Sequence, residues 1–150
     1  MKKKKILVIN GPNLNLLGLR EPGIYGTRSY AELEDYVNQC AHELDVELSL
    51  FQSNHEGAII DRIQAAPGEE DAIVINPAAY THTSIAILDA LLAVGLPTVE
   101  VHLSDPEQRE PFRRISYTSL ACQARFVGQG FEGYRRALEY LCESFDGGNA

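Results

Sequence analysis

The sequence predicts a three-layer α/β sandwich built on a five-stranded parallel sheet. Three observations predict it. Five short apolar runs rich in β-formers recur along the 150 residues. Segments with helical apolar spacing separate most of them. Strands alternating with helices of that length imply βαβ units, whose right-handed crossovers wind helices onto both faces of one sheet.

In chain order, Lys5–Ile9 reads as the first strand. Tyr30–Leu44 follows as a helix, with Ala31, Leu33, Tyr36, Val37, Cys40 and Leu44 along one stripe. Glu47–Phe51 is the second strand, and Glu56–Ala66, carrying Ile59, Ile60 and Ile63, the second helix. Ala72–Ile75 is the third strand. Thr83–Val94 is a helix capped by Thr or Ser and apolar nearly all round. Thr98–Val101 and Arg125–Val127 are the last strands, and Phe131–Phe145 closes the chain as a helix. Five strands suit the flavodoxin-like order 2-1-3-4-5 better than a six-strand dinucleotide-binding sheet. The spacing G-x-G-x-x-G occurs at Gly128, Gly130 and Gly133, but after the last strand, where no further strand completes a dinucleotide half-site. A single domain over residues 1–150 is expected.

Composition narrows the function. The net charge is −8, and without Lys2–Lys5 nine cations face 21 acids, so nucleic acid is not an expected partner. No apolar run approaches the ~18 residues of a membrane span. The run Ile6–Ile9 is shorter than the ~7–15 residues of a signal-peptide core. A cytoplasmic location is expected. Lys2–Lys5 are the only lysines, which leaves neither a buried lysine for a Schiff base nor the lysine of a phosphate-binding loop. Cys40, Cys122 and Cys142 are too scattered for a zinc site or a disulfide framework and read as small apolar residues.

Polar clusters follow the carboxyl ends of the strands, where open α/β sheets bind ligands. They are Asn10-Gly11-Pro12-Asn13, Gln52-Ser53-Asn54-His55-Glu56-Gly57, Asn76-Pro77 with Tyr80-Thr81-His82-Thr83-Ser84, Glu100 with His102-Leu103-Ser104, and Gly128-Gln129-Gly130. One cluster would be a turn; several in register predict one polar pocket. The connection over residues 11–29 is long for a βα loop, and Leu14, Leu16, Leu17 and Ile24 argue for a folded lid over a disordered insertion. Glu100 and His102 lie two apart on one strand and so share a face, which makes a carboxylate–imidazole pair possible. A charge at Glu100 in a buried strand is costly unless paired.

These motifs resemble those of the type II 3-dehydroquinate dehydratases. Asn10-Gly11-Pro12-Asn13-Leu14-Asn15-Leu16-Leu17-Gly18 with Arg20-Glu21-Pro22 and Tyr25-Gly26 is similar to the family's opening. Gln52–Gly57, Asn76–Ser84, Glu100–Ser104 and Arg109-Glu110-Pro111-Phe112-Arg113 follow in the family's order. The resemblance implies anti elimination of water from 3-dehydroquinate through an enolate, giving 3-dehydroshikimate. It implies no metal or organic cofactor, and a dodecamer of trimers.

It also implies roles. Tyr25 would be the base, with Arg20 lowering its pKa and Arg113 adding to the positive field. A free tyrosine of pKa about 10 is only ~0.1% ionised at pH 7. A cation ~4 Å away at an effective dielectric constant of about 20 supplies roughly 4 kcal/mol, or about 3 pKa units. Spacing alone would make Tyr25 an aromatic that packs the lid. Asn13 would hold a water against the enolate oxygen, or simply form a turn. His102 would protonate the departing hydroxyl, held by Glu100. Asn76, Ser104 and the backbone of Leu103 and Ser104 would bind the substrate carboxylate; His82 and Arg113 would bind ring hydroxyls. Asp89 would reach a neighbouring subunit's site, and His55 and Glu56 would cap the second helix. Gly128, Gly130 and Gly133 would serve backbone fit, and His42 would lie on the surface. The chain departs from the family pattern at Ala78, where Gly is common, at Leu88, at Asp105-Pro106-Glu107-Gln108 and at Ile115. The alternative is a non-catalytic flavodoxin-like ligand-binding or scaffold module. A receiver-type domain would need an acidic cluster after the first strand and a late lysine, and has neither.

Overall fold

The computed structural model describes residues 2–19 and 28–147. Five parallel strands form the sheet: β1 (Lys5–Asn10), β2 (Glu47–Gln52), β3 (Ala72–Asn76), β4 (Thr98–His102) and β5 (Ala124–Val127). Their order is β2-β1-β3-β4-β5, as expected from the sequence. Among the described residues, four α-helices flank the sheet: α1 (Tyr30–Leu44), α2 (Glu56–Ala65), α3 (Ile85–Val94) and α4 (Glu132–Gly147).

Alternation along the strands builds two cores. Ile6 and Val8 of β1, Val74 of β3 and Val99 and Val101 of β4 point to the side covered by α1 and α4. Leu7, Ile9, Ile73 and Ile75 point to the other side, against Ile59, Ile63, Ile87 and Leu91 of α2 and α3. The three central strands are buried on both faces, and burial of each Ile or Leu contributes about 1.5–3 kcal/mol.

Helix ends follow local chemistry. Ser29 accepts from the Glu32 N–H while Glu32 reaches back to the Ser29 N–H, a capping box that starts α1 at Tyr30. Ser84 caps α3 by accepting from the Ile87 N–H at 2.9 Å, so that helix begins at Ile85 and not Thr83. The His55 side chain caps nothing, contrary to expectation; Ser53 Oγ instead accepts from the His55 N–H. Glu56 accepts from Ser84 Oγ at 2.5 Å and so ties the start of α2 to that of α3.

The segment after β1 is folded where described. A 3-10 turn spans Leu14–Leu16, and Leu14 and Leu17 are buried in the α1–α4 core. Gly11 makes this possible, because a Cβ there would stand 2.4 Å from the Pro77 carbonyl oxygen.

Candidate active site

The carboxyl ends of β1, β3 and β4 open into one cavity, lined by Asn13, Asn76, His82, His102, Leu103, Ser104, Arg109 and Arg113, with Leu14, Leu17 and Ala78 forming apolar wall. Eight residues proposed from sequence therefore meet in space or directly behind this lining: Asn13, Asn76, His82, His102, Leu103, Ser104 and Arg113 on it, and Glu100 beneath His102. Arg20 and Tyr25 lie outside the described residues. Asp89 is not on the cavity of its own chain but on the exposed face of α3.

The floor has an amide half and an ionic half. In the amide half, Asn10 and Asn76 are adjacent on β1 and β3 and face α4. The buried Tyr134 of α4 sits between them. Its hydroxyl donates to Asn10 Oδ1 at 2.6 Å and accepts from Asn76 Nδ2 at 3.0 Å. Burial pushes the Tyr134 phenol well above its ordinary value, so it stays protonated. Asn76 Oδ1 accepts from the Ala78 N–H at 3.1 Å, and Asn10 Nδ2 donates to Tyr30 Oη at 3.3 Å. The Asn76 amide is thus locked in one orientation, with one N–H left for a ligand.

In the ionic half, Glu100 is fully buried on the opposite face of β4. There the sheet is covered by the 3-10 turn Thr118–Ala121 and the residues before it, which bring hydroxyls where α2 and α3 bring aliphatics elsewhere. Glu100 Oε2 accepts from His102 Nε2 at 2.9 Å, Arg125 Nε at 2.7 Å and Ser116 Oγ at 3.0 Å. Glu100 Oε1 accepts from Thr118 Oγ1. Burial alone would raise this carboxyl's pKa. The hydrogen bond and charge of His102, with the Thr118 hydroxyl and the Arg125 guanidinium, outweigh burial and hold it down to about 2. An ionised carboxylate only accepts, so Nε2 of His102 carries a hydrogen and Nδ1 is the nitrogen left for the cavity.

His82 closes the cavity from the end of the 3-10 turn Ala78–His82. Its Nδ1 donates to the Ile115 carbonyl at 2.7 Å, which leaves Nε2 as an acceptor. Burial lowers its pKa, and the charges of His102 and Arg113 add to that against the Ile115 carbonyl. At neutral pH His82 is therefore an uncharged acceptor, suited to a hydroxyl. Because this contact uses backbone, the departure at Ile115 leaves it intact; the Ile115 side chain is exposed. Arg113 Nε donates to Glu110 at 2.6 Å, fixing the guanidinium at the cavity wall. Asn13 has a left-handed φ of 70° and its side chain caps nothing, so it both forms the turn and lines the cavity.

Four contributors were not assigned a role from sequence. Arg125, Ser116 and Thr118 surround Glu100, and Tyr134 holds Asn76. An arginine inside the otherwise apolar last strand was the available signal for the first.

Comparison with known proteins agrees with this geometry. Residues 4–142 match the family Dehydroquinase class II. A catabolic 3-dehydroquinase of Aspergillus terreus is 56% identical over 142 residues, covering 95% of this chain and 93% of that protein. The crystal structure of the type II dehydroquinase from Butyrivibrio crossotus DSM 2876 superposes with a TM-score of 0.91 at 51% identity, over 93% of this chain and 97% of that one. That from Propionibacterium acnes gives 0.90 at 40% identity, over 94% and 97%. With a family match across nearly the whole length, and relatives of this identity, this chain belongs to the class II dehydroquinases.

Proposed function

We propose that this chain dehydrates 3-dehydroquinate to 3-dehydroshikimate by anti elimination through an enolate, without a Schiff base. The carrying observation is the buried Glu100–His102 pair opening into a cavity whose other polar groups suit an anionic polyol. His102 Nδ1 gives its proton to the hydroxyl that leaves with the C–O bonding electrons, and water departs. Tyr25, made acidic by Arg20, takes the proton beside the ketone. A water held by Asn13 donates to the enolate oxygen. The free N–H of Asn76, with Ser104 and the backbone at Leu103 and Ser104, receives the carboxylate. Neutral His82 and fixed Arg113 take ring hydroxyls. Lys3, Lys4 and Lys5 pair with Asp45, the Phe145 ring and Glu47 around the start of β1, at the opposite end of that strand from the cavity, which supports a mechanism without an imine.

The names of the fungal relatives favour a catabolic role, in the breakdown of quinate, over a biosynthetic one. We further propose a cytoplasmic homo-oligomer, a dodecamer of trimers, with Asp89 serving a neighbour's site. Ile85 and Leu92 are 53% and 58% exposed on the face of α3 that carries Asp89, and Leu120 of the adjoining turn is 72% exposed, an apolar surface suited to a partner copy. Sedimentation at the mass of one chain would remove this assembly.

The test of function is an absorbance assay for the conjugated enone, comparing wild type with Tyr25→Phe. Wild type forms product and keeps its activity after borohydride or chelator treatment; the variant loses nearly all of it. A fully active Tyr25→Phe would remove the base assignment, and an inactive wild type the function.

A further inference from the structure

Glu100 lies one layer behind the cavity, and what holds it determines how His102 is held. We propose that Arg125 is a positioning residue for the dehydration, fixing the Glu100 oxygen to which the His102 imidazole is tethered. This rests on the reading of His102 as the acid.

Arg125 does not line the cavity. It is the register partner of Glu100 across the β4–β5 pair, so the two side chains leave the sheet side by side on the same face. Its Nε donates to Glu100 Oε2 at 2.7 Å, the same atom that accepts from His102 Nε2 at 2.9 Å. Thr118 holds the other oxygen. One carboxylate oxygen is therefore shared by a permanent cation and the imidazole, while the second is clamped by a hydroxyl. That arrangement prevents rotation of the carboxylate and with it of the ring, whose Nδ1 must stay aimed at the departing hydroxyl through proton transfer. It also divides the negative charge of Glu100 between guanidinium and imidazole. Replacing the guanidinium by a neutral group removes a positive charge beside the imidazole and leaves the shared carboxylate oxygen to it. Among the described residues, the titratable or charged groups that also face this cluster include the Cys122 thiol, which burial and the Glu100 charge push up to about 12, and His82, Arg109 and Arg113 across the cavity. The thiol is un-ionised throughout the working range. A mere neutraliser of a buried acid would contribute stability and leave the acid's behaviour unchanged.

The experiment compares Arg125→Met, Arg125→Lys and His102→Gln with wild type, measuring kcat and KM for 3-dehydroquinate across pH. Arg125→Met should lower kcat about tenfold with KM within about twofold, since the proton is given only as the bond breaks. The alkaline limb of its kcat profile should move to higher pH. Arg125→Lys should recover most of kcat and return the limb. If the methionine variant does not fold, Arg125→Gln, which keeps a donor and removes the charge, should show the same direction of limb shift. A loss of melting temperature with wild-type kcat and profile would overturn the positioning role. If that result accompanies an inactive His102→Gln, the acid assignment stands alone; a fully active His102→Gln would overturn both.

Discussion

The two halves of the cavity floor solve the same problem by opposite means. Asn10, Asn76 and Tyr134 are buried polar groups that satisfy one another without a charge. Glu100 and His102 are buried ionisable groups that, with the more exposed Arg125, satisfy one another with charge. The first set keeps its protons in place over the whole working pH range. The second contains a carboxylate that stays ionised far below its ordinary range and the imidazole hydrogen-bonded to it. The difference teaches where each kind of work belongs under the proposed mechanism: the neutral network is suited to fixing the substrate, and the charged one to moving its protons.

The comparison breaks most visibly at His102. His102→Ala removes the proposed acid and should lower kcat by about 10²–10⁴-fold, with a much smaller change in KM, because general acid catalysis contributes on that scale. Steady-state kinetics decide it. A loss confined to KM would make His102 a binding group and move it into the neutral half.

The second break is in acid stability. The Glu100 carboxyl has a folded-state pKa of about 2, below the ordinary 4.5. A depressed carboxyl contributes stability that is fully present above its unfolded value and is lost as pH falls towards its folded one. Glu100→Gln should therefore cost a few kcal/mol at pH 7, and that deficit should shrink as pH falls from about 4.5 towards 2. Denaturant unfolding at several pH values measures it. A deficit independent of pH would mean the carboxylate's partners do not favour its charge.

In the neutral half, Tyr134→Phe leaves Asn10 Oδ1 and Asn76 Nδ2 without their partner, which should cost about 1–3 kcal/mol of stability. The freed Asn76 amide can then turn, so KM should rise several-fold, with the shape of the pH profile unchanged. A shifted profile would show that the two halves are coupled.

How far the sequence carried this picture depends on the range of the interactions involved. Strand positions were legible from apolar runs, but each of β1 to β4 ends one residue later than those runs, because Asn10, Gln52, Asn76 and His102 extend the strands while being polar. Three of them, Asn10, Asn76 and His102, begin the site, so the under-reading fell mostly where function begins. The Glu100–His102 pair was legible because two-residue spacing on a strand is local geometry. Arg125 was not, since its contact with Glu100 spans 25 residues and depends on the β4–β5 register. Tyr134 was hidden for the same reason, its partners lying 124 and 58 residues away. Asp89 sits in an apolar helix but is turned outward by the fold, so its meaning passes to whatever covers α3.

The smallest expected effect sharpens the comparison from the apolar wall. Ala78 follows the locked Asn76 by two residues and has a φ of 53°, in the left-handed region where a Cβ is strained by about 1–2 kcal/mol. Glycine, which the family resemblance leads one to expect at this position, would suit that geometry. The Asn76 Oδ1 bond to the Ala78 N–H helps hold the turn, so the strain is borne by the neutral half. Ala78→Gly should relieve it, but glycine also loses more backbone freedom on folding, and the methyl packs beside the core. The balance is a gain of about 0.5 kcal/mol, or a rise in melting temperature of about 1–2 °C for a chain of this size. Calorimetry on the paired proteins resolves that shift. A fall would mean that the methyl's packing outweighs the strain, and that the turn after β3 is held by contacts and not against its own conformational preference.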